Sequence, residues 1–268
     1  MREGKGFLTI ACNNDSTDYL AYAYLLAESI KDTQTNNSVS LIANQRALDL
    51  MEDKHQKMFD KVIPVAFDEA GKNFTMEAKV WALTPYKQTI KFESDMILSS
   101  SIDHWWDILD QKDIVFTRNV YKPNGELITN RSQRKLFDDN DLPDIYTGLY
   151  YFRYSKESQQ FFALVNSIYD NWDWFKDNLR NCRLEKPVTD EVFAIAAKIW
   201  GIERCTLSGS VPSFVHMKNQ LMDIPNDAPW WEYMYWEKDR FDVRIAFHQQ
   251  HLPIHYYDKR FLEQFYDR

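Results

Sequence analysis

The N-terminal third of the chain alternates short apolar runs with longer amphipathic stretches. The apolar runs at residues 7–11, 38–43 and 62–67 have the length and composition of buried strands. Residues 19–30 carry a broad apolar helical face, and residues 46–59 form a charged helical stretch. Because parallel strands are joined by crossovers that usually contain a helix, this order predicts an α/β fold with a mostly parallel, doubly wound sheet.

The first apolar run is followed by a polar loop, residues 13–18, at a position where α/β proteins often bind a nucleotide. The sequence contains neither a GxGxxG motif nor a GxxxxGK motif followed by Ser or Thr. This argues against a dinucleotide-binding Rossmann enzyme and against a P-loop ATPase.

Residues 89–98 form an apolar run that is interrupted by two carboxylates, Glu93 and Asp95. Such a pattern is typical of a buried strand that delivers acids at its C-terminal end. Open α/β sheets bind ligands outside the carboxyl ends of their strands, and carboxylate oxygens suit Mg²⁺ or Mn²⁺, which neutralise diphosphates. A metal-bound nucleotide is the first hypothesis, and a solvated strand end in an acidic chain is the alternative.

The pattern on either side of these acids is helical. Residues 79–86 have the pattern of a helix that Pro85 stops, because the residue before a proline is pushed out of the helical region. The serines at positions 99–101 offer N-cap hydroxyls for a helix through residues 104–109.

The second half of the chain begins with a predicted strand at residues 113–118. A polar stretch at residues 119–140 contains a Pro-Asn-Gly turn and indicates either a hairpin or a binding loop. A strand at residues 144–153 follows, and helices are predicted at residues 155–172 and 189–200, the second with Thr189 as N-cap.

Composition agrees with one compact domain. The chain has 268 residues, 44% of them hydrophobic, and no Pro-, Gly- or Ser-rich linker divides it. Its three cysteines are widely spaced, which favours reduced thiols over disulfides or zinc. There is no signal h-region and no apolar run long enough to span a bilayer, so we expect a soluble, cytoplasmic protein without a membrane partner. The oligomeric state is left open.

The central segment resembles the GT-A glycosyltransferases. The shared features are a helix, Thr-Pro-Tyr, an apolar strand, acid-x-acid, a serine-rich turn and a helix bearing Trp-Trp. In that family the motif is usually Asp-x-Asp, and its last Asp binds the metal on a nucleotide-sugar diphosphate. Here Glu93 replaces the first Asp, whereas Asp95 keeps the expected residue. The resemblance implies the GT-A fold, a UDP-sugar donor, and Mn²⁺ or Mg²⁺ held by Asp95, with Glu93 on the metal or the ribose.

The same resemblance nominates residues that contact the donor. We expect the base and ribose to lie near the first strand and helix, although these polar groups could equally satisfy their own backbone. Thr147 and Gly148 form a Thr-Gly pair in the predicted strand at residues 144–153. The glycine would allow the donor sugar to approach the backbone closely, and the alternative is that it serves only for packing. The candidate donor contacts are Ala11, Asn13, Tyr19, Lys79, Glu93, Ser94, Thr147, Gly148, Lys218 and Lys259.

Asp190 and Glu191 are the candidate catalytic residues. The Thr-Asp-Glu segment resembles the carboxylate-bearing segment that follows the acceptor loop in GT-A enzymes. In an inverting enzyme such an acid would deprotonate the acceptor hydroxyl, and in a retaining one it would lie beside the anomeric carbon. A structural alternative exists, because acids in a first helical turn complement the helix dipole.

Two histidine motifs could complete the metal site. Many GT-A enzymes close the metal sphere with a C-terminal histidine that is followed by a lysine on the diphosphate. His216 with Lys218 ends an apolar run and is the first choice, and His255 with Lys259 is the alternative.

The whole arrangement also resembles a group of glycosyltransferases encoded by T-even-like bacteriophages. That resemblance implies an acceptor, hydroxymethylcytosine in phage DNA, and glucose or arabinose as the sugar. Arg131, Arg134 and Lys135 are then the candidate acceptor-binding residues. The formal net charge of −8 argues against a DNA partner, because nucleic-acid binding depends on phosphate neutralisation.

The implied organisation is a GT-A catalytic domain at residues 1–220 and a C-terminal extension at residues 221–268. Within the domain, residues 1–98 form the nucleotide-sugar half and residues 99–220 the acceptor half. Two other functions remain open at this point. One is a glycosyltransferase that acts on lipopolysaccharide, protein or a small glycan, and the other is a non-catalytic module that binds sugar nucleotides or nucleic acid.

Overall fold

The computed structural model describes residues 2–65 and 73–266. The N-terminal elements are β1 (Lys5–Ala11), α1 (Tyr19–Thr33), β2 (Val39–Ala43), α2 (Gln45–Asp49), α3 (Asp53–Met58) and β3 (Lys61–Pro64). The central elements are α4 (Val80–Leu83), β4 (Gln88–Phe92), β5 (Met96–Ile97), α5 (Trp105–Leu109), β6 (Ile114–Thr117), β7 (Asn119–Tyr121), α6 (Lys135–Asn140) and β8 (Tyr146–Arg153). The C-terminal elements are α7 (Lys156–Asp170), α8 (Trp172–Asn178), α9 (Thr189–Trp200), β9 (Ser213–His216), β10 (Trp236–Asp239), β11 (Asp242–Ile245), β12 (His248–Gln249), β13 (Ile254–His255) and α10 (Glu263–Tyr266).

The central sheet has the strand order β3-β2-β1-β4-β8-β6. The pairs β3·β2, β2·β1 and β1·β4 are parallel, whereas β8 runs antiparallel to both β4 and β6. The prediction of a mostly parallel α/β sheet is therefore confirmed, with β8 as its single reversed strand.

Side chains of this sheet alternate between two apolar layers. Phe7 and Leu8 are neighbours on β1 but belong to different core clusters. The cluster around Phe7 contains Leu26 of α1 and Trp106 of α5. The cluster around Leu8 contains Phe161 of α7 and residues of α9. Helices thus cover both faces of the sheet, as a doubly wound arrangement requires.

A second, four-stranded sheet in the described residues has the order β5-β13-β9-β7. Three residues, 93–95, separate the end of β4 from the start of its strand β5, so the chain leaves the central sheet and enters the second one across them. The late strand β13 pairs with β5 and with β9, which ties the C-terminal part of the chain to the middle of the sequence. The division at residue 220 stays a prediction.

A small antiparallel sheet, β10-β11-β12, packs on a third apolar cluster. This cluster contains the fully buried Trp230 and Phe261, together with Tyr256 from the segment after β13. Within the described residues, no helix combines the length and the apolar character needed to cross a bilayer.

Two predicted helices are interrupted. The stretch at residues 46–59 forms α2 and α3, because Asn44 caps the first helix and Glu52 opens a second with a capping box. The stretch at residues 155–172 ends at Asp170, where Asn171 closes α7 and α8 begins.

Several predicted boundaries also differ. Thr189 is the first residue of α9 rather than its cap, a position that Val188 holds. The serines at 99–101 do not cap α5, whose N-cap position is held by His104. The Ser101 hydroxyl donates a hydrogen bond to Asp103 instead. The polar stretch at 119–140 contains a turn closed by a Tyr121–Leu127 bridge and then α6. The last residues of the run at 62–67 lie outside the described part of the chain.

Candidate active site

The acids of the site lie where the chain passes from β4 to β5. The backbone N–H of Glu93 donates to the carbonyl of Gly148 on β8, at 2.8 Å. The carbonyl of Asp95 accepts from the backbone N–H of Tyr256, at 3.2 Å. The segment is therefore held by one hydrogen bond to β8 and one to the residue that follows β13. Gly148 lies so close that a Cβ there would be 3.2 Å from Glu93 Oε2, which explains why a glycine fits this position.

Glu93, Asp95 and His255 form a compact group of metal-ligating side chains. One ligand atom from each residue lies within 4.8 Å of the others. His255 Nε2 is 3.1 Å from Asp95 Oδ2 and 3.5 Å from Glu93 Oε2. Lys259 Nζ forms an ion pair with the same oxygen of Asp95. The structure thus brings together the two acids and the second of the two histidine motifs.

Burial and mutual charge shape the protonation of this group. Burial acts to raise the pKa of Asp95, but the charges and hydrogen bonds of His255 and Lys259 outweigh it and place that pKa below its ordinary value. Burial raises the pKa of Glu93, against the lowering effect of His255. Burial alone would lower the pKa of His255, yet the adjacent Asp95 carboxylate raises it. The cations of the C-terminal segment therefore compensate for acids that are removed from water.

The donor set suits a divalent cation. Two carboxylates supply the hard oxygen ligands that Mg²⁺ and Mn²⁺ prefer, and an imidazole nitrogen is a good ligand for transition metals such as Mn²⁺. Two neighbouring carboxylates also favour a positive charge beside them. In the structure Lys259 and His255 supply that charge. Glu93, Asp95 and His255 are the residues that could hold the ion.

His216 is not part of this group, although it contacts one of its members. Its ring stacks on that of His255, with centroids 4.8 Å apart and an interplanar angle of 10°. The stacking follows from the register of β9 and β13, in which His216 and His255 are direct partners. Burial lowers the pKa of His216, and its Nδ1 is buried without a hydrogen-bond partner in the described residues. The geometry favours His255 over His216 as the metal ligand.

A cleft of about 550 Å³ opens in front of the acids. Tyr19, Ser94 and Lys259, three of the predicted donor contacts, line it together with Glu93 and Asp95. The cleft is also lined by residues that the sequence did not single out. These are Ile10, Cys12, Asn14, Glu77, Lys91, Phe92, Thr189 and Tyr257.

Other predicted donor contacts have structural partners. Asn13 Oδ1 accepts from the backbone N–H of Leu20, and its Nδ2 donates to Asp18, which caps α1. Ala11 is fully buried, and its carbonyl accepts from the N–H of Asn44. Lys79 ends the 3₁₀ segment before α4, and Lys218 Nζ donates to Gln133 at 3.3 Å. Their roles in donor binding stay predictions.

Asp190 is held on both of its oxygens. Oδ1 accepts from the backbone N–H of Thr147 at 2.9 Å and from its hydroxyl at 2.6 Å. Oδ2 is 3.3 Å from Arg134 Nη2. The guanidinium of Arg134 lies over the rings of Tyr146 and Phe137, at 3.9 and 4.3 Å from their centroids. These contacts fix the carboxylate next to the Thr-Gly strand.

Glu191 has a different environment from its neighbour. Its Oε2 is buried and has no hydrogen-bond partner in the part of the chain that the structure describes. Burial raises the pKa of Glu191, and the charge of Asp190 adds to the effect. The two candidate catalytic acids therefore differ: both oxygens of Asp190 accept hydrogen bonds, whereas Oε2 of Glu191 accepts none from the described residues.

The predicted acceptor-binding residues are mostly engaged within the protein. Arg131 forms ion pairs with Asp138 and Asp144, and Arg134 is 6% exposed and paired with Asp190. Lys135 is exposed. Direct phosphate contacts by the two arginines would require these ion pairs to open.

No protein-family model and no curated protein matches the sequence. Solved structures do resemble this one over most of its length. The galactosyltransferase LgtC, solved with donor and acceptor sugar analogues, superposes with a TM-score of 0.57 at 11% identity, covering 98% of this chain and 94% of LgtC. The apo form of mouse xyloside xylosyltransferase 1 gives a TM-score of 0.54 at 11% identity, covering 93% of this chain and 96% of that one.

The glycosyltransferase GlyE of Streptococcus pneumoniae TIGR4 gives a TM-score of 0.54 at 10% identity, covering 98% of this chain and 59% of GlyE. Identities this low establish a shared fold and no more. The predicted GT-A fold is therefore confirmed, with the acid-x-acid segment at the end of β4.

Proposed function

We propose that this protein is a metal-dependent glycosyltransferase that moves a sugar from a UDP-sugar to an acceptor hydroxyl. The observation that carries the proposal is the group of Glu93, Asp95 and His255 at the mouth of the cleft, on a GT-A fold. When Mn²⁺ or Mg²⁺ is bound by these residues, it stabilises negative charge on the departing diphosphate.

Other residues in and near the cleft have complementary tasks in this proposal. Lys259, next to Asp95, provides a positive charge for the diphosphate. Tyr19 lines the cleft and offers an aromatic face for the uracil or ribose. Asp190 is oriented by Thr147 and Arg134 and anchors the reacting sugar.

Glu191 is the carboxyl group that we assign to proton transfer from the acceptor hydroxyl. A general base works best when its pKa lies near the working pH, and burial moves the pKa of Glu191 upward. Its Oε2 is buried and has no hydrogen-bond partner in the described residues, so proton transfer to it requires the acceptor hydroxyl to reach this buried oxygen.

The test is a panel of UDP-sugars with Mn²⁺, scored by the release of UDP. Slow hydrolysis of one donor in the absence of acceptor would identify the sugar. Asp95→Asn should reduce this release roughly 100-fold or more, because several kcal/mol of charge stabilisation are lost. Glu185→Gln is the control, since Glu185 is exposed and pairs only loosely with Lys176. Turnover without any divalent metal, or an active Asp95→Asn variant, would reject the proposal.

For the acceptor, we propose hydroxymethylcytosine in phage DNA, with glucose or arabinose as the sugar. The support is the sequence resemblance to phage-encoded enzymes. The net charge of −8 and the ion pairs of Arg131 and Arg134 oppose strong DNA binding, so binding should be weak and steeply salt-dependent.

Mass spectrometry of nucleosides decides the acceptor. Modified DNA incubated with the enzyme, Mn²⁺ and the active donor should gain one hexose or pentose per modified cytosine. If the donor is hydrolysed but the DNA gains no sugar, the acceptor is a glycan, a protein or a lipid instead.

A further inference from the structure

Lys91 is a buried lysine in the middle of a central strand. Its side chain is 1% exposed and forms an ion pair with Glu77, whose side chain is 13% exposed. The hydroxyl of Tyr150 donates to Glu77 Oε2 at 3.0 Å. Burial, together with the charge of Glu77, raises the pKa of Tyr150, so this phenol stays a hydrogen-bond donor. Both members of the ion pair line the cleft.

Stability does not explain this ion pair. Removing two charges from water costs several kcal/mol, and apolar residues of similar volume usually serve a core at least as well. The neighbours of Lys91 on β4, Ile90 and Phe92, are ordinary fully buried apolar residues. A buried ion pair on the wall of a binding cleft therefore calls for a role in recognition.

The ion pair retains unused hydrogen-bonding capacity. A lysine has three N–H donors, and Lys91 directs them at Glu77 and at the carbonyl of Thr147, 3.5 Å away. A carboxylate has about four acceptor positions, of which Lys91 and Tyr150 use two. An acceptor and a cationic donor thus stand side by side in the cleft wall. Hydroxyl groups, which both donate and accept, are the matching ligands.

The position of the ion pair is also suitable for a sugar. Lys91 precedes Glu93 by two residues, and alternate residues of a strand lie on the same side. Thr147, whose carbonyl faces Lys91, holds Asp190 through its N–H and hydroxyl. Lys91 is thus linked along β4 to the acids at its end and, through Thr147, to the carboxylate of Asp190 at the start of α9.

We propose that Glu77 and Lys91 form a subsite that binds hydroxyl groups of the donor's sugar and selects which sugar is transferred. The proposal rests on the glycosyltransferase function proposed above and extends it to donor specificity. A site built to hydrogen-bond a hydroxyl rejects an analogue that lacks it, because its buried polar groups are then left unpaired.

The experiment compares the parent protein with the double variant Glu77→Gln/Lys91→Met. Changing both residues avoids leaving one buried charge without its partner. The probes are UDP, the UDP-sugar that is hydrolysed in the donor panel, and its derivatives with one hydroxyl at a time replaced by hydrogen. Affinities are measured by calorimetry with Mn²⁺, and thermal unfolding checks that each variant folds.

In the double variant, affinity for the UDP-sugar should fall about 10- to 100-fold, the effect of lost hydrogen bonds to charged groups, while affinity for UDP stays within about twofold. At least one deoxy derivative should bind the parent about tenfold more weakly than the intact sugar and bind the double variant equally well. Tyr150→Phe removes no charge and should give a smaller effect of the same kind. Arg153→Met, which breaks ion pairs with Asp110 and Asp113 at the far end of β8, is the control and should change neither affinity.

The outcomes separate the two proposals. If the parent binds neither UDP nor any UDP-sugar, the glycosyltransferase function fails and the subsite with it. If the parent binds and hydrolyses a UDP-sugar, but UDP and UDP-sugar affinities change in parallel in Glu77→Gln/Lys91→Met or in Tyr150→Phe, the subsite alone is wrong.

Discussion

At the scale of single residues, the acids of the cleft depend on side chains that come from the end of the sequence. Asp95 is contacted by both His255 and Lys259, while His216 stacks on the His255 ring. Removing a metal ligand and removing the residue that stacks on it should have different effects on the affinity for the metal. The ligand supplies a bond to the ion, whereas the partner only supports the ring.

His255→Ala should therefore abolish Mn²⁺ binding, and His216→Ala should retain it with an affinity reduced about 10-fold, the usual effect of a supporting residue. Calorimetric titration of Mn²⁺ in the presence of UDP measures both variants side by side. A His216→Ala protein that loses the metal while His255→Ala keeps it would restore the first choice made from the sequence.

Glu191 gives a prediction about pH. Because the pKa of Glu191 is raised above its ordinary value of 4.5, the folded state binds this proton more tightly than the unfolded state. The stability that the neutral carboxyl contributes is present below 4.5 and is lost as the pH rises through the folded-state pKa. Glu191→Gln stays neutral, so its stability relative to the parent should increase across that interval.

Urea unfolding of the parent and of Glu191→Gln at a series of acidic to neutral pH values measures this difference. Gln160→Ala, at an exposed position of α7, is the control, because neither side chain carries a charge. A stability difference that is constant with pH would show that Glu191 is not perturbed by burial.

At the scale of secondary structure, the sequence predicted elements that have their own periodicity and missed those that do not. The run at residues 7–11 and the helical face at 19–30 match β1 and α1 closely, because each repeats its pattern over several residues. The two-residue strands β5 and β13 carry no such pattern. Their pairing depends on tertiary contacts, so the second sheet could not be predicted.

Packing between β1 and the segment before β4 gives a test at this scale. A Cβ at Gly6 would overlap the buried ring of Tyr86, whose hydroxyl is hydrogen-bonded to Ser40. Gly6→Ala should lower the free energy of unfolding by about 1–3 kcal/mol, the usual cost of overpacking a core. Denaturant unfolding checks this, with Gly209→Ala as the control because a Cβ there meets open space. Equal stability of the two variants would mean that Tyr86 moves aside freely.

At the scale of the whole molecule, the candidate site was only partly predictable. Glu93 and Asp95 are only two positions apart in the sequence, so a local pattern identified them. The sequence did not show that His255 rather than His216 lies beside Asp95, because that placement depends on the pairing of β9 and β13 with distant strands. The ion pair of Glu77 and Lys91 was missed, although a lysine inside the apolar run at 89–92 was a visible signal.

Because the site joins the middle of the chain to its C-terminal part, ligands should stabilise the protein as a whole. UDP at about 100 times its Kd, with Mn²⁺ present, should add about 2.7 kcal/mol to the free energy of unfolding. For a chain of this size that corresponds to a rise in Tm of roughly 5–10 °C. Thermal unfolding should show this shift for the parent and none for Asp95→Asn or after chelation of the metal. If the rise in Tm persists after the metal is chelated, UDP binds without the metal.

The position of β13 between β5 and β9 also bears on the order of events during folding. His255 follows Asp95 by 160 residues, so their contact closes a very long loop, whereas β1 and β2 are joined by a short crossover. Contacts of high sequence separation form slowly. We expect a refolding chain to regain the parallel sheet first and its affinity for metal last. Recovery of Mn²⁺ binding should therefore coincide with formation of the native state.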